Sequence, residues 1–292
     1  MGVIQSVIFG LQLGSYIAIA AVGFTLIYGV VNFINFAYGE YMTIGAFMTF
    51  ITVNQWGLPA IVGLFIALVV TAGLGWIVSR LVFVPMQGTG AIPMLMASIG
   101  LGMFLRNFYQ LIAGGEVRFV DIGASQFEFD VLGGFFISTQ HILIIASAFV
   151  IFALIHVLLT RTQAGIAMRA TSQNELLARA SGIRTKQVRR NVWIVASALA
   201  GVSGFLIGTT TFVSPLTGFN QILLVLAAAI LGGAGSAYGA FIGAYIIAFV
   251  ITFTTAYLPT EISGLGETLA FLVLIIVLLV RPSGLADVEV EA

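Results

Sequence analysis

The sequence predicts an all-α polytopic membrane protein of eight or nine transmembrane or half-membrane helices with a short cytoplasmic helix, and three observations lead there. The chain is 60% hydrophobic, only 8% of it is charged, and its mean hydropathy is +1.13. A soluble domain carries about 25% charged residues, so no soluble core of this length is so apolar. Charge is absent from the runs 1–39, 41–79, 81–105, 131–160 and 191–260. A spanning helix needs about 20 mostly apolar residues, so several of these runs hold more than one span. Finally, the charges that do occur are sorted into two connections of opposite character.

Gly, Pro, Asn and charged residues punctuate the apolar sequence into helices near 4–30, 39–54, 59–80, 91–112, 141–160, 191–212, 219–234, 238–258 and 264–281. The first is read as a retained helix, because no basic residue precedes it. The segments 39–54 and 219–234 are short for a full crossing and read equally well as half-helices. The whole chain, 1–292, reads as a single transmembrane domain.

The connection 114–140 carries Glu116, Arg118, Asp121, Glu128 and Asp130, and its alternation around 126–130 predicts a strand or hairpin. The connection 161–190 holds Arg161, Arg169, Arg179, Arg184, Lys186, Arg189 and Arg190, seven of the eleven basic residues, with Glu175 as its only acid. The positive-inside rule makes 161–190 cytoplasmic, and the single span between the two connections then puts 114–140 outside.

Small residues recur every four positions at Ala196, Ala200, Gly204 and Gly208, and again at Gly235, Gly239 and Gly243. Such stripes let helix backbones approach closely where lipid supplies no hydrophobic drive; lining a pore is the alternative use.

Enzyme chemistry finds little footing. Cysteine is absent, which removes thiolate catalysis and cysteine-ligated metals. Lys186, the only lysine, is followed by Gln187, so there is no phosphate-binding G-x-x-x-x-G-K-[ST] loop. A serine within Gly201-Val202-Ser203-Gly204 needs a histidine base, yet His141 and His156 both lie earlier, near the two ends of one predicted helix. No cofactor, metal or nucleic-acid partner is expected. Charges within the spans are Glu40, Arg80, Arg106 and Glu267, all near predicted helix ends, where snorkelling explains them. An ion-coupled secondary transporter stays open as an alternative, because backbone carbonyls alone can bind sodium.

Within the basic connection, Leu176, Leu177, Ala180 and Ile183 fall on one face of a short helix, with Ser172 or Asn174 as its cap, Glu175 at its positive end and Gly182 as its stop. The stretch RATSQNELLARASGI (169–183) resembles the coupling segment of ATP-binding-cassette importer permeases. LIYGVVNFINFAYGE (26–40), AILGGAGSAYGA (229–240) and the closing RPSGL (281–285) extend the likeness over essentially the whole chain, to the permeases for branched-chain amino acids. Gln173 and Asn174 depart from it, standing where many members are more acidic.

The resemblance implies a permease subunit of the prokaryotic inner membrane, paired with a second permease subunit, either a paralogue or another copy. Two cytoplasmic ATP-binding subunits and an external solute-binding protein would complete the importer. Coupling would fall to Asn174, Glu175, Ala178, Arg179, Gly182 and Ile183. Leucine, isoleucine and valine are the expected solutes, with urea or short-chain amides as the alternative. For the translocation path the sequence offers two interruptions of apolar sequence, one at 32–40 with Asn32, Asn35, Tyr38 and Glu40, the other at 217–221 with Asn220. Paired interruptions of this kind point to a solute site, whereas ordinary surface loops use the same residues. At the first interruption the positive end of the starting helix would suit a carboxylate, and Phe33 and Phe36 an aliphatic side chain.

Overall fold

Apolar sequence with periodic breaks folds here into a helical bundle; the computed structural model describes residues 2–120, 122–123, 126–129, 135–258 and 263–286. The elements in order are α1 (Val3–Val31), α2 (Tyr38–Phe50), α3 (Ala60–Val78), α4 (Ala91–Ala113), β1 (Arg118–Phe119), β2 (Gln126–Phe129), β3 (Phe135–Ser138), α5 (Thr139–Arg161), α6 (Gln163–Gln173), α7 (Glu175–Ala180), α8 (Thr185–Thr210), β4 (Phe212–Val213), α9 (Thr217–Gly232), α10 (Ala237–Tyr257) and α11 (Gly266–Val280). Single π-helical turns prolong α2 to Gln55 and α3 to Phe83. Six of the described helices are long and apolar enough to cross a membrane, while α9 and α11 are shorter.

Local chemistry sets the ends. Asn32 closes α1 in the left-handed conformation, at φ 56°, and its N–H bonds back to Tyr28; Asn is among the few non-glycine residues that adopt it readily. Ser138 caps α5 by accepting from Gln140 N–H, and His141 Nδ1 takes the N–H of Ser138 at 3.1 Å. His156 instead pairs with the Tyr238 hydroxyl at 2.7 Å.

Two short antiparallel ribbons lie together at one end. β2 pairs with β3, the hairpin foreseen around 126–130, and β1 pairs with β4 just beyond α8. Gln5 on the first turn of α1 accepts the Phe136 N–H at 3.0 Å, so the start of α1 shares that end. The segment 161–190 stands at the opposite, basic end. Asp121 and Asp130 lie outside the described residues.

Burial separates centre from rim. In their apolar windows α8 is 83% and α1 67% buried, against 22% for both α4 and α5. The outward faces of α4 and α5, with Phe104, Leu111, Leu143 and Leu154, are therefore the surfaces that lipid would cover. Around the centre α1 packs mainly on α10 and α8 packs mainly on α2 and α3. Helix, break, short helix and long helix recur in α1–α2–α3 and in α8–α9–α10, running in opposite directions.

Glycine makes the central contacts close. A Cβ on Gly204 would strike the Met42 carbonyl, and one on Gly208 would come to 3.3 Å of the Ala46 Cα. The stripe on α8 thus serves packing against α2. The second stripe is broken, because Gly235 lies in the turn before α10 with φ +98°, while Gly239 and Gly243 do face α9. A leucine at Gly204 should destabilise the bundle by about 2 kcal/mol or more. Gly100→Leu, on an exposed face with nothing within 4 Å, should not. Thermal unfolding followed by size-exclusion chromatography of the two variants checks this.

Candidate functional site

After Asn32, residues 33–37 turn back into the bundle rather than along its surface, and α2 begins inside. Asn35 and Tyr38 are fully buried and Glu40 is 1% exposed, so for these the surface-loop reading fails. Asn32 is exposed beside a basic-end cavity of about 330 Å³ that Arg189 and Met94 also line. The Tyr38 hydroxyl sits between the carbonyls of Ala20 and Ala196, at 3.0 and 3.1 Å, midway along α1 and α8. Phe33 does not face open space; it packs among Phe83 and Trp193. Among the described residues, both amide atoms of Asn35 are buried without a hydrogen-bond partner. A polar group left in that condition marks a place where water or solute is to be sought.

The start of α9 meets the start of α2. Gly218 and Gly39 touch backbone to backbone, and the Gly218 N–H donates to Thr43 Oγ1 at 2.9 Å. The two breaks noted in the sequence are therefore one place in space. Asn220, next to half-exposed Phe219, points to the outside of the bundle.

Glu40 forms the charged centre of this place. Arg106 of α4 donates to Glu40 Oε1 through Nη2 at 2.6 Å and Nε at 3.1 Å. The Tyr109 hydroxyl bonds the other carboxylate oxygen and lies 2.8 Å from the Pro215 carbonyl. The Arg106 guanidinium also lies 4.1 Å from the centre of the Phe219 ring. One acid thus joins α2, α4 and the entry to α9. Snorkelling is the wrong account of Glu40 and Arg106: the end of α2 that carries Glu40 lies within protein, where only pairing makes an ion tolerable. Arg80 and Glu267, by contrast, are both exposed. The carboxylate at the positive end of α2 is the chain's own. Tyr109 and Phe219 were missed; the isolated opposite charges of Glu40 and Arg106 were the available signal for a pair.

At the basic end the chain forms two helices where one was foreseen. α6 folds back on α5 so tightly that a Cβ on Gly165 would strike the Leu158 carbonyl. Asn174, not Ser172, caps α7, its Oδ1 accepting the Leu177 N–H at 3.0 Å. Glu175 Oε1 receives Arg179 at 2.6 Å and Arg189 at 2.8 Å, tying α7 to α8. Arg179 also donates to Thr185 Oγ1. Ala178 is buried and Ile183 half-buried, whereas Leu176 and Leu177 are 77% and 65% exposed. Gly182 ends the segment at φ +83° with open space around it. α8 begins at Thr185, six residues before the expected 191, because 185–190 continue the helix as an amphipathic turn with Thr185 and Val188 buried.

A family model described as "Branched-chain amino acid transport system / permease component" matches residues 6–280. The chain is 30% identical to the high-affinity branched-chain amino acid transport system permease protein LivH of Salmonella typhimurium, covering 99% of this chain and 97% of the relative. It is 28% identical to BraD of Pseudomonas aeruginosa, named in the same way, with the same coverage. Identity to a probable branched-chain amino acid transport permease protein LivH of Methanocaldococcus jannaschii is 29% over 94% of this chain and 89% of that one. No solved structure matches.

Breaking a buried ion pair from one side leaves the other charge uncompensated, at a cost of about 3 kcal/mol. Arg106→Gln should therefore lower thermal stability more than the double variant Glu40→Gln/Arg106→Gln does. Melting curves of the single and double variants in lipid nanodiscs test this, and strictly additive losses would remove the pair as a unit.

Proposed function

The chain belongs to the permease-component family of branched-chain amino acid transport systems, and from that premise we propose that it moves leucine, isoleucine and valine inward across a prokaryotic inner membrane as one permease subunit of an ATP-driven importer. The single observation that carries this reading is the family match across nearly the whole chain. ATP would be hydrolysed by separate cytoplasmic subunits and solute delivered by an external binding protein; a second permease subunit, paralogue or copy, would complete the pore.

In this reading the basic end is cytoplasmic and 114–140 external, as the charge asymmetry favours. The N-terminus then lies outside. Cysteines at Glu116 and Ser172, in a chain with no native cysteine, should react with an impermeant maleimide from outside and from inside respectively.

Exposed Leu176 and Leu177 on α7 offer the ATPase an apolar tip held by the Glu175 to Arg189 bond. Force on α7 reaches α8 through that bond, and α8 touches the start of α2 through the Ala196 carbonyl and Tyr38. Asn174, Glu175, Ala178, Arg179, Gly182 and Ile183 thus form the coupling segment, while Asn35, Tyr38 and Glu40 stand on the path with Asn32 and Asn220 at its margins. Solute affinity would reside mainly in the binding protein, because a permease site needs to release what it receives.

Glu175→Ala/Arg179→Ala, or a bulky residue at Gly182 where positive φ costs about 1 kcal/mol or more, should lower ATPase recovery in a pull-down while membrane insertion stays normal. Full recovery and full uptake would remove the coupling assignment. Asn35→Ala should slow leucine uptake and leave ATPase recovery unchanged. Uptake of labelled urea or an amide in place of leucine would transfer the substrate to those classes. Uptake that persists without any ATPase subunit and follows a sodium or proton gradient would make the protein a secondary transporter.

A further inference from the structure

At the basic end, α3 and α8 border a cavity of about 360 Å³ lined by Trp76, Ser79, Arg80, Gln87, Lys186 and Arg190. Three cations converge on it from two helices. Lys186 and Arg190 are one turn apart on α8, a spacing at which like charges repel, and Lys186 sits in the helix's first turn, where the backbone dipole adds positive potential. Arg80 comes from the π-helical turn that ends α3, its guanidinium 5.8 Å from the centre of the Trp76 ring. The segment's one acid, Glu175, is held by Arg179 and Arg189, and Arg80, Lys186 and Arg190 make no ion pair among the described residues. Repulsion built into a recess and left without a counter-charge calls for an anion.

The surroundings of the cavity identify the kind of anion. Trp76, Ile77, Leu81 and Val84 next to it on α3 are exposed and apolar, with Leu81 71% open. Tryptophan is the residue favoured at headgroup depth, with basic side chains reaching toward phosphate. An anion there would have hydrocarbon attached on the bilayer side. We propose that this cavity binds the phosphodiester headgroup of an anionic glycerophospholipid, its acyl chains lying along Ile77, Leu81 and Val84. Bound lipid would neutralise the junction of α3 and α8 and hold α8 at its basic end.

The test uses the full chain, purified and exchanged into nanodiscs holding equal phosphatidylglycerol and phosphatidylcholine, then returned to detergent so that retained lipid can be counted by mass spectrometry. Wild type should retain phosphatidylglycerol over phosphatidylcholine. The variant Arg80→Gln/Lys186→Gln/Arg190→Gln should lose that preference by about a hundredfold, since each of the three basic residues near an anionic surface contributes on the order of 1 kcal/mol. Arg161→Gln/Arg169→Gln/Arg184→Gln removes equal charge from the same end and should keep it. Equal loss in both variants, or no preference in wild type, overturns the site. Displacement by millimolar inorganic phosphate but not by lipid would reassign it to a free anion. Loss of ATPase pull-down in the first variant, with lipid retention unchanged, would make it a protein-docking surface instead. Gel-filtration profiles matching wild type for both variants keep the comparison valid.

Discussion

Inside a bilayer no water waits to take a backbone N–H or C=O, and the structure depends on that constraint. Helix α1 ends at the basic face, but the chain then turns inward and α2 begins inside the bundle, which frees peptide groups at a depth where lipid would not tolerate them. The break survives because α1, α4, α8 and α9 surround it, and because polar groups take up the freed peptide groups. Ser98 Oγ accepts the Phe36 N–H, Tyr38 reaches two carbonyls, and Thr43 receives the N–H of Gly218. Enclosure by these helices is thus the condition for a helix that starts inside the bundle, and that start is where polar side chains enter an otherwise apolar interior.

The glycines follow from the same constraint. Two helix starts can share one location only if their backbones touch, and Gly39 against Gly218 is that contact. Their aligned peptide dipoles would both present positive ends there, so the negative charge of Glu40 is placed where it offsets them. Arg106 then balances Glu40, and the cost of burying two ions is reduced by the bonds between them, by the Tyr109 hydroxyl bonded to Glu40 and by the face of Phe219 beside Arg106. Charge, dipole and close packing at this point are consequences of one topological choice.

Much of this was legible in the sequence. Helix positions could be read because charge and punctuation alternate with long apolar runs, and the element ends at 91–113 and 139–161 fell within two residues of expectation. The fold class, the hairpin and the cap at Asn174 have local signals of that kind. Contacts between distant segments have none: Arg106 lies sixty-six positions from Glu40, and nothing in either neighbourhood names the other. Local pattern also misled where a helix end is not a surface. Glu40 near a predicted terminus read as snorkelling because sequence gives the end of a helix but not its depth. The start of α8 was placed late for the opposite reason, since Lys186, Arg189 and Arg190 looked like loop although they continue a helix at the interface.

Helix α8 is the element on which the two ends of the molecule converge. Its first turns carry the cations that face α7 and the α3 cavity, its middle supplies the carbonyl that holds Tyr38, and its last turns pack glycine on α2. A helix that is buried nearly throughout and packed backbone to backbone has few ways to bend, so displacement at one end is transmitted as rotation or translation of the whole. The small-residue stripe that permits close packing also permits sliding, because glycine and alanine surfaces present no interlocking side chains. In the proposed importer, work done on α7 would reach the buried polar break through this rod, because α8 joins Glu175 at its start, Tyr38 at its middle and α2 at its end.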